Sequence, residues 1–297
     1  MELKLIVRFL VRKLSCFVLL SFMLAMSACS SGDDAKDVSS VDKLKMHVFE
    51  CGRYEGLDKS SFASNGELEQ GGLVDVVVTC YLIRHPQGDF IWDTGLPDAF
   101  NAQENGVAMG PTIVASVPVT LASQLEKIGV APADIEFVAV SHSHPDHAGN
   151  VALFAGSTFL IDKVERDYMF RDEVRAHKDS YALIAPIEAS EMIEFDGEYD
   201  VFGDGAVVIK PTPGHTPGHT SLFVALPETG PVLLSGDLYV LKESREQRLV
   251  PIFNVDETKT LASMDAFETL AAETNARVII QHSEEQFNNL PASRVLN

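Results

Sequence analysis

Four residues able to bind a metal fall within six positions of the segment Ser141-His142-Ser143-His144-Pro145-Asp146-His147-Ala148-Gly149-Asn150. Imidazole nitrogen and carboxylate oxygen are the donors that zinc and other borderline divalent ions accept. The apolar run just before them, residues 135–140, reads as a strand. If the chain stays extended beyond it, the spacing of two between His142 and His144 sends both imidazoles to one face, where a single ion can take both. Pro145 has no N–H and disfavours helix in the residue before it, so the chain turns there and offers Asp146 and His147 to a neighbouring ion. An incidental polar loop would suit one histidine, not three with an aspartate.

Three later strand ends carry further ligand types. Residues 206–210 lead into Pro211-Thr212-Pro213-Gly214-His215-Thr216-Pro217-Gly218-His219, residues 232–234 into Ser235-Gly236-Asp237, and residues 278–280 into Gln281-His282-Ser283. Each alone is an ordinary polar strand end. Together they make a set too large for one ion: His142, His144 and His215 for a first site, Asp146, His147 and His282 for a second, and Asp237 to bridge with its two oxygens. Such sites keep room for a water and a substrate oxygen, as catalytic zinc requires. His219 reads as a structural or supporting histidine, and His47 and His85 as bland. Asp93-Thr94-Gly95 closes the run 89–92 and is either a plain turn or a buried acceptor that fixes the tautomer of a ligand histidine.

The elements that must position these residues are strands in the first half, residues 44–51, 74–84 and 89–92, with Gly- or Pro-rich breaks between them. Residues 96–120 have little regular pattern, and a loop of that length is commonly a lid or an entrance wall. Residues 121–128 form a short amphipathic helix, 149–154 begin another, 158–162 form a strand, and 163–175 are helical, with a mixed charge that reads as a solvated face. Tyr168, Phe170, His177 and Tyr181 are candidates for a pocket wall, with core or surface packing the simpler reading.

Residues 1–28 read as export machinery: Lys4, Arg8, Arg12 and Lys13 precede an apolar run that ends in Met26-Ser27-Ala28-Cys29. This resembles a bacterial lipoprotein signal with the lipid on Cys29. It implies a periplasm-facing protein tethered to the outer membrane, while the Ser- and Asp-rich composition that follows reads as a flexible tether over 29–43 ahead of a globular domain over 44–297. The chain carries 23 Lys and Arg against 43 Asp and Glu, a formal charge of −20. Residues 1–28 hold four of the basic groups and one acidic group, so 19 and 42 remain beyond them, formally −23. So acidic a surface repels phosphate backbones and excludes nucleic acid as a partner. Cys51 and Cys80 are left open to a disulfide, although Cys80, inside the apolar run 76–83, reads as a small core residue.

In order and spacing, His142-x-His144-x-Asp146-His147, His215, Asp237, His282 and Asp93-Thr94-Gly95 resemble the metallo-β-lactamase superfamily. The resemblance implies an α+β fold, a four-layer αββα sandwich, with two divalent ions, zinc expected, at one edge of its two sheets. Within the superfamily the chain is most similar to the N-acyl homoserine lactonase, or quorum-quenching, group. That likeness rests on Cys80-Tyr81-Leu82-Ile83, Asp93-Thr94-Gly95-Leu96-Pro97, the irregular segment before residue 121, and Thr212 to His219 followed by Ser221-Leu222-Phe223. It implies opening of a lactone ring, an N-acyl homoserine lactone, by a hydroxide shared between the ions. Tyr239 is then expected to help hold the carbonyl and Asp146 to deliver a proton to the leaving alkoxide. Tyr239 follows Asp237 by two positions where the group has three, and Gln281 and Ser283 stand where it commonly has Gly and Asp. The alternatives are a β-lactamase, which generally lacks a carboxylate at the Asp237 position, and a glyoxalase II-type thioesterase, which usually adds a basic helical C-terminal region. A metal-stabilised binding module without turnover is the reading from a different class.

Overall fold

Along residues 77–83 the side chains of Val77, Tyr81 and Ile83 enter one buried cluster while Cys80 and Leu82 enter another. This is the alternation of a strand buried on both faces, so the sheet must be covered on both sides. The computed structural model, which describes residues 44–66, 68 and 72–297, builds its layers on that requirement.

The first sheet has nine strands: β1 (Lys45–Asp58), β2 (Leu73–His85), β3 (Gly88–Trp92), β4 (Val107–Ala108), β5 (Val114–Ser116), β6 (Phe137–Ala139), β7 (Thr158–Asp162), β8 (Met192–Phe195) and, from the far end of the chain, β14 (Val295–Leu296). Their order is β4-β5-β1-β2-β3-β6-β7-β8, with β14 paired to β1. The second sheet holds β9 (Tyr199–Asp200), β10 (Val207–Pro211), β11 (Thr220–Leu226), β12 (Gly230–Leu234) and β13 (Arg277–Ile279), in the order β13-β12-β11-β10-β9. Between the sheets lies one core, where Tyr81, Ile83, Phe90 and Trp92 meet Ile209, Leu222, Val224 and Leu234. On the outer face of the first sheet, Leu82, Val138 and Phe159 pack with Leu121 and Leu125 of the helix Leu121–Lys127 and Ile184 and Ile187 of the helix Lys178–Glu188. On the outer face of the second, Leu233 and Val278 pack with Met264, Phe267 and Ala271 of the helix Glu257–Thr274. Helix, sheet, sheet and helix make the expected αββα sandwich.

Register brings the chemistry to one edge. Parallel pairing of β3 with β6 sets Trp92 beside Ala139, so Asp93 and Ser141 emerge together. Parallel pairing of β12 with β13 sets Leu234 beside Ile279, so Asp237 and His282 emerge together. The crevice beyond the carboxyl ends of parallel strands is the usual place for a site in sheets of this kind.

Several expectations need correction. Residues 163–175 are two helices, Lys163–Met169 and Asp172–Ala176, broken where Met169 and Phe170 turn into the core. Within the first of them Glu165 is buried, so the solvated-face reading fails there. Residues 149–154 form only a 3-10 turn, Val151–Phe154. The irregular segment 96–120 is partly ordered by β4 and β5, which extend the first sheet past β1. Cys80 is no free core thiol: it is bonded to Cys51. The export signal, Cys29 and the tether lie outside the described residues, apart from the start of the domain at Leu44. Among the described residues no helix is long and apolar enough to cross a membrane.

Candidate metal centre

Asp93 holds a left-handed backbone conformation, φ 56°, that swings its carboxylate under the motif loop. Fully buried, it accepts hydrogen bonds from the Ser141 N–H at 2.6 Å, the Ser141 hydroxyl at 3.2 Å and the Gln281 amide at 3.2 Å, and stands 3.1 Å from His147 Nδ1. That contact fixes the ring of His147 and leaves Nε2 to point at the cluster, the orienting role open to Asp93 in the sequence. Gln281 at the last histidine therefore has a structural partner. His282 is held the same way, its Nδ1 2.9 Å from the Val77 carbonyl of β2.

The structure gathers the seven predicted residues into two groups, His142, His144, His215 and Asp237 in one and Asp146, His147 and His282 in the other, with candidate ligand atoms in each group within 4.8 Å of one another. Asp237 faces both. Its Oδ2 lies 3.4 Å from His215 Nε2 and 3.8 Å from His142 Nε2, while Oδ1 lies 3.0 Å from His282 Nε2 and 3.3 Å from His147 Nε2. Asp146 stands 3.7 Å from both His147 and His282. His144 and Asp146 are partly exposed and the other five are buried, so solvent reaches the cluster from the motif-loop side.

The donor set suits cations. His142 Nε2 and His144 Nδ1 are only 2.8 Å apart, two nitrogens whose lone pairs repel unless a proton or a metal lies between them. His147 Nε2 is buried with no hydrogen-bond partner among the described residues. Burial, and then the crowd of neighbouring imidazoles, holds His142 well below its ordinary pKa, and burial does the same to His215 against the pull of Asp237. Neutral imidazole is the form that binds metal. Burial works most strongly against the charged forms of His147 and His282, but the surrounding carboxylates, Asp237 and Asp146 for both and Asp93 for His147, together outweigh it and raise both.

Two buried groups outside the cluster hold its loops. His219, pushed down to about 4 by burial, accepts the Asp237 N–H on Nε2 at 2.9 Å, and its Nδ1 donates to the Thr212 carbonyl at 3.0 Å. It therefore aims the shared carboxylate without belonging to either group. Glu165 accepts from the Ser143 N–H at 2.8 Å, the Thr216 hydroxyl at 2.7 Å and the Gly218 N–H at 3.1 Å, tying the loop of His142 and His144 to the loop of His215. A Cβ on Gly218 would come within 2.2 Å of the Glu165 nitrogen, which is why glycine stands there. Nothing in the sequence marks Glu165 as different from its charged neighbours.

Tyr239 does not join the site. It is 1% exposed, its ring packs edge-on to Phe267, and its hydroxyl donates to Glu268 at 2.9 Å. The two-residue spacing from Asp237 turns it beneath the second sheet's helix, away from the cluster. A cavity of about 290 Å³ opens on His144, Asp146, Asp237 and His282. Its other walls are apolar, Leu57, Phe62, Val76, Ile113, Val240 and Phe253, with Tyr54 and Ser61 between them. A smaller cavity of about 180 Å³ touches His144 from the other side and is lined by Tyr168 and Arg171, so Tyr168 is a wall residue. Phe170 is core, Tyr181 packs partly buried against the same core, and His177 is exposed. His85 stacks on Phe202, remote from the cluster.

The sequence model of the metallo-beta-lactamase superfamily matches residues 73–282. The chain belongs to the metallo-beta-lactamase superfamily. Among superfamily members, the N-acyl homoserine lactonase AttM of Azorhizobium caulinodans is 31% identical over 74% of this chain and 88% of that protein. An N-acyl homoserine lactonase of a Bacillus species is 31% identical over 82% and 94%. Of solved structures, an N-acyl homoserine lactone hydrolase with N-hexanoyl-L-homoserine at its catalytic metal centre superposes with a TM-score of 0.68 at 27% identity, covering 83% of this chain and 96% of that one.

Proposed function

We propose that this superfamily member is a dinuclear metal hydrolase, with zinc in both sites, that opens the ring of a lactone of the N-acyl homoserine type. The observation that carries the reading is the placement of Asp237, one carboxylate oxygen toward each histidine group. His142, His144 and His215 would hold one ion, Asp146, His147 and His282 the other, and Asp237 both. Bound there, divalent ions supply Lewis acidity to a carbonyl and make water a nucleophile near neutral pH.

The chain's own residues do the rest. Asp93 and the Val77 carbonyl fix the ring orientations of His147 and His282. His219 and Glu165 keep the loops from drifting, so little reorganisation is left for the reacting state. Asp146, on the partly exposed side of the cluster, takes the proton of the attacking water and returns it to the ring oxygen as the C–O bond breaks, a role its exposure supports. The apolar walls of the large cavity suit an acyl chain, and their burial of a hydrocarbon tail stabilises binding. The lactonases named above support the substrate class. A thioesterase would share the cluster, a β-lactamase would generally lack the Asp237 carboxylate, and the apolar wall favours neither.

The protein purified with metal should carry about two equivalents per chain and hydrolyse acyl homoserine lactones in preference to nitrocefin or S-lactoylglutathione. His144→Ala should lose metal and turnover together, and full turnover in that variant would end the reading. We also propose export and lipid attachment at Cys29. Cys29→Ser should move the protein from the membrane fraction to the soluble one, and an unchanged distribution would refute the anchor.

A further inference from the structure

A substrate carbonyl in the large cavity becomes an oxyanion on attack, and a pre-placed hydrogen-bond donor there is worth more than one that must reorient. Among the lining residues two carry hydroxyls, Tyr54 and Ser61. Ser61 is committed, its hydroxyl donating to the Asp58 carbonyl at 2.7 Å. Among the described residues the Tyr54 hydroxyl has no hydrogen-bond partner, and the charges acting on its ring are those of Asp146 and Asp237. It therefore lines the same cavity as the cluster with its proton uncommitted among the described residues.

The backbone that carries Tyr54 is rigid and shaped for this. Tyr54 lies on β1 between Val76 of β2 and Ala115 of β5, hydrogen-bonded strands on both sides. One rung away, Arg53 pairs with Val77, whose carbonyl holds His282. Just after Tyr54 the register slips, Leu57 next pairing with Val74, and Gly56 takes φ 72° with its N–H on Asp75. Extra residues of this kind re-aim side chains beside active sites. At Gly56 no larger residue fits, since a Cβ would meet the Thr112 carbonyl at 2.2 Å.

We infer that Tyr54 is a catalytic residue, its hydroxyl donating to the substrate carbonyl oxygen as that oxygen gains charge, the role that resemblance assigned to Tyr239. The inference rests on the hydrolase reading above. The water oxygen forms the new bond to the carbonyl carbon and the π pair moves onto the oxygen facing Tyr54. On collapse the ring C–O bond breaks, its pair goes to the ring oxygen, and that oxygen takes the proton the water gave up. Tyr54 keeps its own proton throughout, since burial opposes ionisation of its phenol.

The test compares wild type, Tyr54→Phe and Tyr239→Phe, all loaded with zinc, on whichever of three substrates the wild type turns over fastest: an acyl homoserine lactone, nitrocefin or S-lactoylglutathione. Tyr54→Phe should keep its zinc content and melting temperature, lose about 100-fold in kcat and the same in kcat/KM, and leave KM in place, the pattern of a contact made only in the transition state. Tyr239→Phe should keep kcat within about threefold and lose thermal stability instead. A loss under about threefold in Tyr54→Phe, or a kcat loss in Tyr239→Phe with none in Tyr54→Phe, overturns the inference. If the preferred substrate is not a lactone, the lactonase reading falls while the Tyr54 ratio still decides the role of this residue. Wild type that turns over none of the three overturns both.

Discussion

Two imidazoles of the cluster are held through the ring nitrogen that faces away from it. His147 is aimed by Asp93, His282 by a main-chain carbonyl, and the shared Asp237 by His219. Removing such a partner leaves the ligand atoms in place but free to turn, which typically costs about 10- to 100-fold in metal affinity. Asp93→Asn should weaken zinc binding by that factor, read by competition with a chromophoric chelator, and an unchanged affinity would detach Asp93 from the site. The seven candidate ligands could be found from spacing and from strand ends, because ligand chemistry restricts residue type. Glu165, His219's hold on Asp237, and Tyr54 could not, because a buried carboxylate, a supporting ring and a wall phenol look like ordinary polar residues until the chain is folded. Tyr239 shows the converse, a residue that resemblance expected at the substrate carbonyl and that the structure packs against Phe267 and Glu268 instead.

Elements carry these residues through register rather than propensity. The apolar runs ending just before Asp93, Ser141, Asp237 and His282 were legible as strands, but their parallel pairing, β3 with β6 and β12 with β13, was not, and the site edge was implied only by the family resemblance. β4, β5 and the slip after Tyr54 were not legible either, since two- and three-residue strands leave no periodic pattern. Below the second sheet, Tyr239 and Arg245 share Glu268, which fastens the short helix Lys242–Gln247 to the long helix Glu257–Thr274. Arg245, then Tyr239, lower the Glu268 pKa from its usual 4.5 despite burial. A carboxylate lowered on folding adds stability above its unfolded pKa, and that contribution is lost as pH falls through the folded value. Glu268→Gln should therefore melt earlier than wild type at pH 7, with the gap closing below about pH 4. A gap that persists into acid would assign the effect to packing.

For the whole molecule, two links span the site's surroundings. The Cys51–Cys80 disulfide ties β1 to β2 across 29 positions, three residues ahead of Tyr54. Closing a loop of that size limits the unfolded chain and is worth about 3.5 kcal/mol in the chain-entropy view. Reductant, or serine at both positions, should lower the melting temperature by about 7–14 °C, and no shift would show the bond adds nothing to stability. Ions held as proposed would be the second link. Binding the folded chain in preference to the unfolded one, they would stabilise it, so a chelator should lower the melting temperature by at least about 5 °C, and zinc should restore it. The central claim joins this centre to lactone opening. It is tested most directly by titrating the metal-free protein with zinc and following acid release from an acyl homoserine lactone at each addition. The account predicts one ring-opened acid per lactone, with turnover rising to a plateau at about two zinc per chain. Full turnover without metal, or hydrolysis of nitrocefin and of no lactone at the plateau, would contradict it.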